Sequence, residues 1–455
     1  MSLRKNQPPV SRKLNRREML RLTGLAGIGA LAAACAAPAA PVAPKAADAT
    51  AAPAAAPAAA GKAKLRLVVM DYDEKMKADT TALVEAYNKS QDQAEASLDV
   101  YSWGQGHDLL VTQISGGQAP DLCNVSAQWL GEWAAINEVA PLDKLPADFL
   151  ANFVPSGIKA FTGTDGKLMG MPYFLDPRAL FYRKDLIEKA PATFDDVIAS
   201  ATKVHKTPDM TGFGLTFAAK SDSLDYWWYA WFGVVGADGK PSLYDDNKKS
   251  KLGSPEAIRT TQFLVDLAQK HKVTNTDYAT AGRDEELQPL FYAGKLAMLE
   301  TGSWFPTLLK KNAPDLQVGL APLPVAKAGI KPSTGFWPDS LIVFKQTKSA
   351  DAASAMVQWM FGKDNRLTFA KQRGVIPERI DVGTDPGYAV GDTEKFFVEA
   401  LKTAHNVYET PFPATFNKVQ AEVETLIGRA VAGELSAADA MKQAAEFTDK
   451  TNGAA

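Results

Sequence analysis

Runs of apolar residues broken by amphipathic segments set the plan of this chain. From Leu65 the order is strand, helix, strand, helix. LRLVVM is a β-run ending at Asp71-Tyr72, and Leu83, Val84 and Tyr87 form one helical face. SLDVYSW is a second strand, ending at Trp103. Leu109, Leu110 and Ile114 mark a helix closed by Gly116-Gly117, and LCNVS is a third strand. Ser126 then caps a helix carrying Trp129 and Trp133. Such alternation predicts a mostly parallel sheet covered on both faces. In such sheets ligands lie beyond the carboxyl ends of strands, which selects Asp71, Tyr72, Trp103, Gln105, Gln128 and Trp129 as candidates.

The stretch KLMGMPYFLDPRALFYRKDL, Lys167 to Leu186, organises the rest. It reads as a β-segment, a turn at Leu175-Asp176-Pro177, a buried strand at Ala179 to Tyr182, and a helix opening at Arg183-Lys184-Asp185. Pro172 and Pro177 lack amide donors, so neither fits a central ladder position. The segment is expected to be a crossing from one α/β lobe to the next, with Asp176 and Arg178 at the lip of the cleft between them. Arg178 serves there either as a ligand contact or as a hinge ion pair with Asp176.

Beyond the crossing, Thr193-x-x-Asp196 is a capping box for a helix with Val197, Ile198, Ala201 and Val204. A strand at Phe213 to Phe217 follows. Asp225-Tyr226-Trp227-Trp228-Tyr229-Ala230-Trp231 is the densest aromatic cluster, read either as core or as a surface with one ring open to a ligand. Ser254-Pro255 starts a helix, and residues 284–293 form another, stopped by Gly294. KLAMLE is a strand, and Thr301-Gly302-Ser303-Trp304 is the turn into a helix with Pro306 in its first turn. VGLAPLP and GFWPDSLIVF are extended. The helix after Ser349 places Ala352, Ala355, Met356, Trp359 and Met360 on one core face. Val419, Val423, Ile427 and Val431 give a C-terminal helix a purely structural stripe. Arg373 and Gly374 suit a hinge.

Length makes two domains the default, since 455 residues exceed what one hydrophobic core normally holds. The 50 basic and 52 acidic residues nearly cancel, and no charge block suggests a nucleic-acid partner. Residues 1–35 read as an export signal: Arg16-Arg17 fits the twin-arginine class, and Leu20 to Ala34 is apolar but too short to span a membrane as a mature helix. LAAAC resembles a lipobox, with Cys35 the acylated residue; simple cleavage after A-x-A is the alternative. Residues 36–63 are almost all Ala and Pro and form a semi-extended tether, at roughly 3.1 Å per residue. Cys123 is then the only other cysteine, so it is a small core side chain and no internal disulfide forms.

The segments GGQAPDLCNVSAQWLGEW, DGKLMGMPYFLDPRALFYRKDL, FYAGKLAMLETGSW, VGLAPLP, SLIVFKQTKSADAASAMVQWM and RGVIPER occur in this order. Together they resemble the extracellular solute-binding proteins (family 1) of carbohydrate ABC importers, over essentially everything from Leu65 onward. The resemblance implies an α/β, two-lobed periplasmic-binding-protein-like fold (type II), with discontinuous lobes joined by hinge strands. It places residues 64–173 and 328–372 in the first lobe and 174–327 and 373–455 in the second. A solute would be captured between the lobes and delivered to an ABC permease by a protein that is not an enzyme. Trp304 corresponds to a sugar-stacking position; Asp71, Tyr72 and Trp103 line the cleft; Trp228, Trp337 and Asp339 carry over by location only. The lipobox and tether are shared by anchored members, which puts the protein on the outer face of the cytoplasmic membrane.

The residue types suit a carbohydrate. A pyranose packs its C–H face on an indole, and its hydroxyls need carboxylate, guanidinium or amide partners. An unpaired buried hydroxyl costs about 1–3 kcal/mol. Asp71, Gln128, Asp176, Arg178 and Asp339 with Trp103, Trp129, Trp304 and Trp337 offer both halves. No cofactor and no metal is expected, because His107, His205, His271 and His405 lack ligand spacing. The expected partners are a sugar or oligosaccharide, the permease subunits and, through the anchor, the membrane; the protein itself is expected to be a monomer. The competing readings are a polyol or glycerol phosphate as solute, a lipid-anchored glycoside hydrolase using Asp176, Glu300 or Asp339, and an adhesin.

Overall fold

A computed structural model describes residues 61–71, 75–163, 165–217, 244–245, 249–281, 286–332, 334–388, 391–402, 404–406 and 415–453. The export signal, Cys35, nearly all of the Ala/Pro tether, Tyr72 and the whole 225–231 aromatic cluster, Trp228 included, lie outside the described residues.

The strands are β1 (Ala63–Asp71), β2 (Ala94–Ser102), β3 (Leu122–Ser126), β4 (Val139–Ala140), β5 (Met171–Arg183), β6 (Met298–Gly302), β7 (Val318–Ala321), β8 (Gly335–Phe344) and β9 (His405–Asn406). The longer helices are α1 (Met76–Ser90), α2 (Trp103–Ser115), α3 (Ala127–Ala135), α4 (Phe194–Val204), α5 (Pro255–Val265), α6 (Phe305–Asn312), α7 (Ala350–Met360), α8 (Lys363–Arg373), α9 (Asp392–Leu401), α10 (Phe416–Val431) and α11 (Ala437–Asn452). The strand order is β2-β1-β3-β8-β5-β6, with β4 and β9 also on β8 and β7 also on β5. Only part of it is parallel. β1 pairs in parallel with β2 and β3, whereas β8 runs antiparallel to β3 and β5, and β5 runs antiparallel to β6 and β7. The mostly parallel sheet expected from strand–helix alternation therefore stops where β8 returns to the first ladder from the far side of the crossing.

The crossing differs from its reading in the sequence. There is no turn at 175–177: β5 is one strand of 13 residues that keeps going and changes partners. Residues 171–177 pair with β8, and residues 178–183 pair with β6 and β7. Pro172 sits opposite Ser340 and Pro177 opposite Phe336, with an irregularity between Pro172 and Phe174. Both prolines are accommodated because, among the described residues, this half of β5 has a ladder partner on one side only, so a missing N–H costs no bond when it faces the other way. Arg183 opens no helix either. Its guanidinium closes a local turn onto the Asp185 carboxylate (Nε to Oδ1, 2.8 Å) and donates to the Gly294 carbonyl at 2.9 Å.

Several local signals hold. Ser126 accepts from the Trp129 amide, Thr193 and Asp196 form the reciprocal cap of α4, and Ser254 caps α5. Val419, Val423, Ile427 and Val431 are buried on α10, and Cys123 is a free thiol sealed in the core, where burial raises its pKa well above the usual value. Others shift. Trp103 begins α2 rather than ending β2, and Thr301-Gly302 finish β6 rather than forming its turn. Residues 213–217 form no strand, only an isolated bridge from Phe213 to Thr274. The buried face of α7 runs through Ala353, Met356, Val357 and Met360, leaving Ala355 exposed and Trp359 half-buried edge-on against Tyr87.

A buried ion pair ties the return of the chain to β5. Arg366 on α8 meets the Glu378 carboxylate in two bonds of 2.6 and 2.8 Å and donates to the Tyr173 carbonyl at 2.8 Å, with both side chains almost fully buried. The Phe369 ring lies 4.3 Å from its guanidinium carbon. Gly374 ends α8 in a left-handed conformation (φ 65°), and a Cβ there would stand 2.3 Å from Thr307 Oγ1 on α6. Only glycine satisfies both constraints. Glu378→Gln should destabilise the protein by about 3–5 kcal/mol because it strands the arginine charge. An Arg366→Met/Glu378→Leu double variant should recover most of that loss in urea unfolding.

Candidate functional site

Side chains two apart on a strand share a face, and so do residues opposite one another. Trp337 lies opposite Asp176, and Asp339 lies opposite both Phe174 and Ser126. Arg178 lies opposite Gly302. One face of the sheet therefore carries a continuous line from the N-terminus of α3 through Asp339, then Trp337 and Asp176, to Arg178, Gly302 and the Trp304 that follows.

At the centre of the line Arg178 is 1% exposed, and its guanidinium carbon lies 4.6 Å from the Trp304 ring centroid and 4.7 Å from that of Trp337. The two indoles cover it. Its Nη2 is 3.3 Å from Asp176 Oδ2, while Asp176 Oδ1 accepts from the Ser303 amide (3.1 Å) and hydroxyl (3.0 Å). The Arg178 backbone is fixed as well: its amide donates to Thr334 Oγ1 and its carbonyl accepts from the same hydroxyl at 2.8 Å. Of the two roles open to Arg178 in the sequence, the geometry carries the ion pair, with the added role of a cationic base beneath two rings. A desolvated guanidinium under an indole is worth about 2 kcal/mol. Gly302 permits the arrangement, since a Cβ there would lie 1.8 Å from Trp304 Cζ3. The exposed part of Trp304 is presented on a surface whose position the fold has already fixed.

A second aromatic group stands at the ends of the parallel strands. Trp103 opens α2 directly after β2, and Trp129 lies in the first turn of α3 directly after β3. Their centroids are 5.1 Å apart at 55°, and both are half-buried. His107 backs Trp129 at 5.2 Å and stacks on the buried Trp133 at 6.0 Å and 12°, with its Nε2 2.9 Å from Glu132 Oε2. Gly106 lets α2 approach β1, for a Cβ there would meet Met70 Sδ at 2.6 Å. Asp71, exposed at the end of β1, is paired with Ser102 beside Trp103. Gln128, in the first turn of α3, donates through Nε2 to Gln420 Oε1 of α10.

The sequence-derived candidates thus divide into a Trp103–Trp129 group with Asp71 and Gln128 nearby, and an Asp176–Arg178–Trp304–Trp337 group, with Asp339 between them on β8. Tyr72 and Trp228 lie outside the described residues. The sequence reading gave no role to Glu132 and Thr334, named His107 only as lacking metal-ligand spacing and Ser303 only as part of a turn, yet these four orient the rings and charges. Of these, only His107, four residues after Trp103 on one helix, had a spacing that could have exposed it. Among the described residues no cluster of three His, Cys, Asp or Glu side chains could hold a metal ion.

The model of the family described as bacterial extracellular solute-binding protein matches residues 82–394. The chain belongs to that family. Its members bind solutes and are not enzymes, so the hydrolase reading falls. Among curated proteins, the chain is 27% identical to a binding protein of Brucella abortus (strain 2308) over 70% of its own length and 77% of the relative's. It is 24% identical to the maltotriose-binding protein of Pyrococcus abyssi, over 70% and 68% of the two lengths. Among solved structures, an ABC transporter solute-binding protein from Thermotoga lettingae, bound with α-D-tagatose, superposes with TM-score 0.75 at 19% identity, covering 86% of this chain and 100% of that one. Maltose-bound MalE3 of T. maritima gives TM-score 0.72 at 24% identity, covering 85% and 99%. The family member described here therefore has the α/β periplasmic-binding-protein fold.

If Gly302 exists to let Trp304 lie flat, Gly302→Ala should alter the intrinsic tryptophan emission in the wild-type background. The same substitution should change nothing further in a Trp304→Ala background, a non-additivity read by fluorescence of the four proteins.

Proposed function

We propose that this solute-binding protein takes a sugar or oligosaccharide and serves as the capture component of an ABC importer. The observation that carries the reading is the half-buried indole of Trp304, seated with the buried Trp337 on Arg178 beside the Asp176 carboxylate. A carbohydrate needs such an apolar plane for its C–H face next to acceptors for its hydroxyls. The names of the relatives point the same way, being a maltotriose-binding protein and arabinooligosaccharide-binding proteins.

In this reading Trp304 stacks on the ring, Asp176 and Asp339 accept hydrogen bonds from hydroxyls, and Trp103, Trp129 and Asp71 meet the solute from the other wall, while the Gln128 amide is taken by Gln420. Tyr72 and Trp228 complete the set by their place in the sequence. The walls belong to two lobes, residues 64–173 with 328–372 and residues 174–327 with 373–455. The exchange of partners on β5 between Pro177 and Arg178 supports a boundary near there. A solute held by both walls favours the closed form over the open one, and the permease distinguishes loaded from empty protein by that shape. Export by the twin-arginine signal, acylation of Cys35 and the Ala/Pro tether would hold the monomer at the outer face of the cytoplasmic membrane, close to the permease.

Calorimetric titration with malto- and arabino-oligosaccharides should show binding, with no reducing ends released. Trp304→Ala should weaken it at least tenfold while costing the fold no more than about 2 kcal/mol, the worth of its contact with Arg178; a variant that does not fold would make Trp304 a core residue. Glycerol phosphate binding in place of every sugar would replace the carbohydrate reading. For the anchor, Cys35→Ser expressed in a bacterium with lipoprotein processing should move the protein from the membrane fraction to the soluble one.

A further inference from the structure

The sequence assigned α10 a structural role only, yet two polar side chains on it are nearly buried. Gln420 is 9% exposed and Glu424, one turn on, is 5% exposed. Gln420 Nε2 donates to Glu424 Oε1 at 2.8 Å, and Gln420 Oε1 accepts from Gln128 Nε2, a partner 292 residues away in the sequence. The direction of this chain is fixed by chemistry. A carboxylate only accepts, so the Gln420 amide turns its NH2 toward Glu424 and its carbonyl toward Gln128, and Gln128 must donate. Bonds aligned head to tail and shielded from water reinforce one another.

In the two-lobe reading, on which this inference rests, the two ends of the chain stand on different walls. α3, which carries Gln128, packs on β3, β4 and β8 of the first ladder. α10 packs on α11 and α5, which the two-lobe reading assigns to the other wall. Gln128 is also the neighbour of Trp129, so the bond crosses from one wall to the other beside a ring proposed to meet the solute.

We propose that Gln128–Gln420–Glu424 is a latch that favours the closed form before any solute arrives. A bond present in one of two states shifts their balance by its own free energy, whatever the ligand. The apparent affinity for every solute is divided by the fraction of competent protein, so the latch raises all affinities by one common factor. A side chain that touched the solute would instead change affinities by amounts that depend on the solute.

The test uses Gln420→Met and Glu424→Met, which keep the length and apolar bulk and remove in turn the bridging amide and the acceptor that orients it. Circular dichroism first establishes that each variant is folded. In small-angle X-ray scattering of solute-free protein, both variants should show a larger radius of gyration than the wild type. Titration with several bound sugars should show affinities three- to tenfold weaker for Gln420→Met, by the same factor for each sugar. Unchanged scattering in folded variants overturns the latch, and so do factors that differ from sugar to sugar. The scattering needs no ligand, so it decides the latch even if no sugar binds and the carbohydrate reading fails.

Discussion

The structure depends on a strand that does not stop. β5 holds β8 with its first half and β6 and β7 with its second, so the backbone that ends one ladder begins the other. Its hydrogen bonds make the connection stiff in position, yet few strands share it. Asp176 and Arg178 stand where the exchange occurs, and their partners come from both sides of it: Trp337 from β8, Ser303 and Trp304 from the end of β6. An ion pair and two rings in one place thereby couple the geometry of the crossing to that of the proposed binding surface. The buried Arg366–Glu378 pair reaches the same strand from behind through the Tyr173 carbonyl. Each charge is expensive to bury alone and is tolerated because its partners satisfy it.

Most of the fold was legible because the signals for it are local. Caps at Ser126, Thr193 and Ser254 depend on a side chain reaching its own neighbouring amides, and the stripe on α10 depends only on a period. The crossing was misread because the cost of proline in a sheet is not local. It depends on which side of the strand carries the partner, and the sequence of β5 does not say that its first half lacks one. The face of α7 was misplaced by about one residue since Ala contributes little to a periodic pattern; Ala352 and Ala353 are equivalent to such a reading.

The site was legible in its residue types and not in its connections. Aromatic residues at strand ends can be selected from topology alone, and the two so selected, Trp103 and Trp129, lie ring to ring. Arg178 could be given two roles, but only the stacking of Trp304 and Trp337 on it, both distant in sequence, distinguishes them. Gln420 and Glu424 were invisible for another reason. They flank an apolar stripe on a helix, where polar residues ordinarily face water, and nothing in the sequence announces that a partner from α3 arrives to cover them.

Why should the surface proposed to bind a neutral solute rest on a buried cation? An indole left free to rotate must be immobilised when ligand arrives, at a cost of about 0.5–1.5 kcal/mol for each side chain ordered. Here that cost is met in folding. Arg178 is held by Asp176 and Thr334, Trp304 lies against Gly302, and the guanidinium between the rings leaves neither indole a comparable alternative position. The charge itself is neutralised by Asp176, so it need not repel or attract the solute. Its function is mechanical, and the neutrality of the pair is what allows a strongly charged group to support a ligand that carries no charge.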